Sequence, residues 1–285
     1  MTRYHIFGDT GGHFRQLKAG LVSLGMDPDT FKLPEDIVVV HCGDLLHKGP
    51  NSAAVIFMVN RVMEANPGQW VQLLGNHEYH YLGGITFWRE SIDRDAISLL
   101  RQWKEEGKVK HAHLIKEPAV FHGLVVSKRG YQTPANKPVV LTHAGITRQY
   151  WEKFLRSEED AGKLVERLNS FSPAQIGTPG AIIGADNTRA YPAGPIWALS
   201  VEEVWASWKN TPSIPFIQVH GHTTPYAHSR GRWFSLEREF QQASKVNPSR
   251  RTCVTAVGDS VQIAVDPGYD KFAPDESQPS LLVTA

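Results

Sequence analysis

Short apolar runs recur along this chain, and five of them give way to a polar motif that contains glycine. Tyr4–Phe7 runs into Gly8-Asp9, Ile37–Val40 leads to Gly43-Asp44, and Trp70–Leu74 to Gly75-Asn76-His77-Glu78. Val139–Leu141 precedes Thr142-His143-Ala144-Gly145, and Pro215–Val219 precedes His220-Gly221-His222. Apolar runs of about five residues ended by glycine predict buried strands. Between the first three lie stretches of helical spacing: Phe14–Leu24 with Leu17, Leu21 and Leu24 on one face, and Ser52–Ala65 with Ile56, Val59 and Met63. This βαβαβ order predicts a parallel sheet. Further on, the pattern predicts a helix over Phe87–Glu106, pairable strands near Ala119–Ser127 and Val139–Thr142, and a helix over Trp151–Leu168. A Gly/Pro/Asn-rich loop (Ser172–Pro195), a short helix near Val201–Trp208 and a β-rich stretch, Thr252–Val265, complete the chain.

Ligands in open α/β sheets sit outside the carboxyl ends of the strands. The five motifs therefore deliver Asp9, Asp44, Asn76, His143 and His222 to one place. Two buried carboxylates in one cleft repel unless a cation or proton intervenes, and a divalent metal is the usual solution. With the amide oxygen of Asn76 and two imidazoles, the donor set suits a divalent transition metal (manganese, iron or zinc) better than calcium, which prefers oxygen alone.

Composition narrows the setting. A net charge of +1 over 285 residues gives no reason to expect a nucleic-acid or membrane surface. No apolar stretch approaches the ~18–20 residues that span a bilayer. Met1–Tyr4 leads straight into the first strand, and two cysteines, Cys42 and Cys253, make no disulfide framework. The expectation is a cytoplasmic protein. Residues 1–270 are expected to form a single domain, with a cap-like insertion around 151–210. Residues 271–285, with Pro274 and Pro279, are expected to be a flexible tail.

The ordered motifs resemble the signature of the calcineurin-like metallophosphoesterases, closest to the phosphoprotein phosphatase branch and its bacterial and phage relatives. Gly8-Asp9-Thr10-Gly11-Gly12-His13-Phe14 looks like G-D-x-H-G. Gly43 to Pro50 looks like G-D-x-x-D-R-G-P, and Gly75-Asn76-His77-Glu78 matches G-N-H-E in full. The resemblance implies an α/β fold, an αββα four-layer sandwich of two mixed β-sheets flanked by helices. It implies a metal-dependent phosphoesterase, phosphatase or phosphodiesterase, in which a metal-activated hydroxide attacks phosphorus in line. Its substrate is a phosphorylated small molecule or a phosphoprotein. Asp44 bridges two metals; Asn76, His143 and His222 complete one site, and Asp9 belongs to the other. His77 touches substrate as acid or donor. Gly194-Pro195-Ile196-Trp197 is similar to an element beside that branch's cleft.

Three departures stand out. Gly11 and Thr224 replace histidines that would bind the Asp9 metal, so one site is firm and the other weak; His13 is a candidate replacement. His47 stands where the branch has an aspartate that orients His77; it tunes His77, joins the weak site, or is a surface residue at the start of a helix. Lys48 replaces an arginine and grips phosphate as a point charge. The alternative reading is a weakened member that binds a phosphorylated ligand or partner without efficient turnover.

Overall fold

The computed structural model describes residues 1–83, 86–88, 91–116, 119–122, 137–178, 182–183, 188–189, 193–269, 273–274 and 276–285. Its main strands are β1 (Arg3–Phe7), β2 (Ile37–His41), β3 (Trp70–Leu73), β4 (Val109–Lys110), β5 (Ala112–Ile115), β6 (Val120–His122) and β7 (Val139–Thr142). They continue with β8 (Ile217–His220), β9 (Ser244–Asn247), β10 (Thr252–Val257), β11 (Ser260–Ala264) and β12 (Leu281–Thr284). These form two six-stranded mixed sheets, ordered β4-β3-β2-β1-β12-β6 and β9-β10-β11-β8-β7-β5.

Alternation of side chains decides the layers. Ile6, Val40, Leu73, Leu281 and Val283 of the first sheet pack against Leu141, Val219 and Ile263 of the second, filling the space between them. Phe7 and Val39 point the other way, onto helices α1 (Phe14–Ser23) and α2 (Ser52–Ala65) through Leu17, Leu21, Val55 and Val59. Helices thus flank two facing sheets, the expected four-layer arrangement.

Two registers place the motifs. The parallel pairing of β1 with β2 sets Phe7 opposite His41, so the Asp9 and Asp44 turns leave the sheet together. In the second sheet β7 and β8 are parallel with Thr142 opposite His220, which brings the His143 and His222 turns side by side.

Several expectations change. The helix expected over 87–106 is the shorter α4 after α3 (Asn76–Tyr81), spanning Arg94–Glu105, because Asp93 caps it by accepting from the N–H groups of Asp95 and Ala96. The 151–168 helix is two, α5 (Arg148–Phe154) and α6 (Ala161–Ser170), separated by left-handed Arg156 and Ser157. The two strands expected to pair do not: β6 lies in the first sheet and β7 in the second. Residues 123–127 of the first of these, and much of the 172–195 loop, lie outside the described residues.

The largest correction concerns the end of the chain. The expected flexible tail supplies β12, inserted antiparallel between β1 and β6, with Leu281 and Val283 fully buried. Buried Gln278 ties it to the first motif: its amide N donates to Gly8 O at 3.0 Å, and its Oε1 accepts from Thr10 Oγ1 at 2.9 Å. Leu281→Ala should destabilise the protein by about 2–5 kcal/mol, read by denaturant unfolding. A loss below about 0.5 kcal/mol, the level of a surface substitution, would contradict this placement.

Candidate metal centre

The turns after the strands are stitched to one another before any side chain is considered. Thr10 and Gly11 donate backbone N–H groups to Asp44 O at 3.0 and 2.8 Å. Glu78, fully buried, accepts from the N–H groups of Asp44 (2.8 Å), Leu45 (2.8 Å) and Gly75 (3.0 Å), strapping the second turn to the third. Burial and the Asp44 carboxylate push Glu78 up to about 8, while these three donors pull it down. The donors decide its role, since N–H groups on both oxygens are what a carboxylate accepts. Gly75 has no room for a side chain, because a Cβ there would lie 2.2 Å from Asp44 Oδ1.

Into this frame Asp44, Asn76, His143 and His222 converge, and one ligand atom from each of Asp44, His143 and His222 lies within 4.8 Å of the other two. Proton placement shows what they lack. His143 Nδ1 donates to Cys42 O at 2.7 Å, so its Nε2 carries a lone pair. That lone pair faces Asp44 Oδ1 at 3.4 Å and Asn76 Oδ1 at 3.0 Å. Asn76 Oδ1 also lies 3.2 Å from His222 Nδ1. Turning the amide over would offer its NH2 to these atoms instead. A cation would satisfy these acceptors together, and the hydrogen bond from Nδ1 to Cys42 O would orient His143 for that role. Burial lowers the pKa of both His143 and His222, which keeps the rings neutral as ligands must be.

The calcineurin-like phosphoesterase model matches residues 2–247. The chain belongs to that family. An asymmetrical bis(5'-nucleosyl)-tetraphosphatase, PrpE, of Halalkalibacterium halodurans is 24% identical over 230 residues, 78% of either chain. Among solved structures, a cold-active protein-tyrosine phosphatase of a psychrophilic Shewanella sp. aligns with a TM-score of 0.50 at 18% identity, covering 94% of this chain and 72% of that one. This protein is accordingly a metallophosphoesterase, a hydrolase acting on phosphate esters, in a family that depends on divalent metal.

The Asp9 half of the metallophosphoesterase centre is built differently. Gly11 is left-handed, and a Cβ there would lie 3.5 Å from Cβ and Cδ of Lys48. That is ordinary van der Waals contact, and the Lys48 ammonium stands 4.0 Å from Asp9 Oδ2. The other carboxylate oxygen, Oδ1, accepts from His222 N–H at 2.8 Å, while the buried Oδ2 has no hydrogen-bond partner among the described residues. Thr224 Oγ1 donates to Tyr226 O, and the His13 ring packs edge-on against Tyr269 at 5.4 Å. His47 contacts His77, whose Nε2 faces Asp44 Oδ2 at 3.7 Å.

One buried acid escaped the motif reading. Asp266 follows β11, with its Cα packed beside Gly8, the residue before Asp9. Burial first, then Asp266 and Asp44, push Asp9 well above the carboxylate range, with Lys48 opposing. A signal was present: the β-rich stretch ends in Ile263-Ala264-Val265, followed by Asp266 and Gly268, an apolar segment giving way to an acid and a glycine as in the five motifs. Among the described residues no helix is long and apolar enough to cross a membrane. Glu78→Gln should cost about 1–3 kcal/mol by leaving a backbone N–H of the Asp44 turn against an NH2 group. Chemical denaturation checks this, and an unchanged midpoint would show that Glu78 does not strap the turns.

Proposed function

We propose that one firmly held divalent transition metal, of the manganese, iron or zinc class, binds Asp44, Asn76, His143 and His222. The observation that carries this is the convergence of acceptor atoms on a point where the residues themselves bring no certain proton. A mixed carboxylate, amide and imidazole shell suits these ions. Such an ion supplies Lewis acidity that activates water and stabilises charge on phosphoryl oxygens. Asp9, with two of its expected histidine neighbours replaced, offers a second ion only a weak site.

The side chains around it divide the remaining work. His77 presents Nε2 to the cleft and donates to a phosphate oxygen. Lys48 holds a positive charge beside Asp9 and meets the substrate as a point charge, without the fork of an arginine. The substrate class that fits best is a phosphorylated small molecule carrying an aromatic base. Phe87 lies 5.3 Å from His77 and Trp197 lies 5.2 Å from Phe87, an aromatic wall beside the catalytic histidine. The tetraphosphatase relative supports the same class. Trp197 also supports a roofing role for the 151–210 stretch within one domain, since it reaches within 6.3 Å of the His222 ring. Buried, unpaired Cys42 and Cys253 suit a reducing cytoplasm.

Asp44→Ala and His143→Ala should each remove the bound metal, about one per chain by elemental analysis. They should also lower turnover of p-nitrophenyl phosphate at least ~100-fold, a barrier change of about 2.7 kcal/mol. Undiminished turnover in Asp44→Ala would overturn the site. Two tightly held metals per chain would overturn the single firm one.

A further inference from the structure

Gln278 stands just before β12, is 1% exposed, and spends both polar atoms of its side chain on the turn that carries Asp9. Its amide nitrogen donates to Gly8 O at 3.0 Å and to Asp9 O at 3.3 Å, and its Oε1 accepts from Thr10 Oγ1 at 2.9 Å. Backbone carbonyls can only accept, so these contacts fix which end of the amide faces which partner. The two carbonyls lie past the last pair of the β1–β2 ladder, Phe7 with His41, where the sheet no longer supplies donors. The backbone of Gln278 is held as firmly. Its N–H donates to Gln16 O on α1 at 2.8 Å, and its carbonyl oxygen sits where a Cβ on Gly20 would approach to 2.6 Å.

From this turn two links run on to the metal centre. On one side, Asp9 Oδ1 accepts the N–H of His222 at 2.8 Å, so the turn that Gln278 holds in turn holds a ligand. On the other, Thr10 Oγ1 lies 2.9 Å from Nε2 of buried His41, whose Nδ1 accepts from the N–H of Gly43, the residue before Asp44, at 3.2 Å. The opposite flank of the turn is closed as well: a Cβ on Gly8 would lie 2.1 Å from Val265 O, at the end of β11. Glu78 straps the Asp44 turn to the Gly75 turn, and Gln278 does the corresponding work for the Asp9 turn and, through it, for His222. A buried amide is costly unless its hydrogen bonds are made, and those of Gln278 are made to the turns rather than to the strand it precedes.

We propose that Gln278 is a positioning residue for the metal centre: it fixes the Asp9 turn, and with it the His222 ligand, so that the last residues of the chain complete a site otherwise built from the strand ends. Partners that orient metal ligands from behind typically govern affinity by about 10–100-fold. The proposal rests on the metal site described under the proposed function, and it is read in metal affinity rather than in turnover.

The test is calorimetric titration of Mn2+ into chelator-treated, full-length protein. Gln278→Ala is expected to raise the Kd of the tightly held ion about 10–100-fold. Gln278→Glu still accepts from Thr10 but offers no N–H to the Gly8 and Asp9 carbonyls, so it should not restore affinity. Leu281→Ala, three residues on, removes a side chain from the core between the sheets. It should lose stability yet bind Mn2+ with the wild-type Kd at a temperature where it is folded. An unchanged Kd in Gln278→Ala would show that the glutamine only ties down the strand, and would overturn the proposal. An equal loss of affinity in Leu281→Ala would overturn it too. If the Gln278 variants do not fold, the hydroxyl link decides. Thr10→Val should weaken binding and Thr10→Ser should keep it, whereas wild-type affinity in Thr10→Val would contradict the proposal. Wild-type protein that binds no Mn2+ would overturn the metal site and this proposal together, while wild-type binding with an unaffected Gln278→Ala removes only the positioning role.

Discussion

Negative charge held out of water is the constraint on which this structure depends. Asp9, Asp44 and Asp266 are all buried at the end of the molecule where strands from both sheets terminate. Around Asp44 the nearest side-chain atoms include the Nε2 lone pair of His143 and a ring nitrogen of His222. Such a collection is expensive in a low-dielectric setting unless cations or protons balance it, and burial accordingly raises the pKa of Asp9 and Asp266. The surrounding features follow from that need. Glu78 spends its carboxylate on three backbone donors to hold two turns in place. Gly221 lets the His222 turn approach Asp9, where a Cβ would meet Oδ1 at 2.3 Å.

The backbone bears part of the cost. Asp44, His47, Lys48 and His222 all have positive φ, between +57° and +67°. Left-handed conformation costs a side-chain-bearing residue about 1–2 kcal/mol, and such strain persists where the surroundings over-determine it. Here the stitched turns do so. From these adjacent positions His47 reaches His77 and Lys48 reaches toward Asp9.

What the sequence made legible was local. Apolar runs ended by glycine marked the strands, and strand-end logic pointed to Asp44, Asn76, His143 and His222, whose side chains lie close together. Features set by distant partners were hidden. Strand β12 pairs with β1 from the opposite end of the chain, and Pro274 and Pro279 disguised its approach. β6 and β7 look like a hairpin pair in sequence yet enter different sheets. Asp266 stood just beyond the β-rich stretch, where the alternation of Ser260 and Gln262 with apolar residues gave no uniform apolar run to mark it. His47 was legible as a departure, but its contacts were not, because Tyr81 and Trp88 become its neighbours only once α3 and the loop after it fold against the Asp44 turn.

The central claim is that the acceptors at the strand ends are completed by a cation bound to the folded state. Thermal unfolding of chelator-treated protein, with and without saturating Mn2+, tests it most directly. A ligand at about 100 times its Kd adds about 2.7 kcal/mol to the folded state, so the account predicts a rise of several degrees in Tm that Asp44→Asn abolishes. No rise in the wild type, or an equal rise in Asp44→Asn, would contradict it.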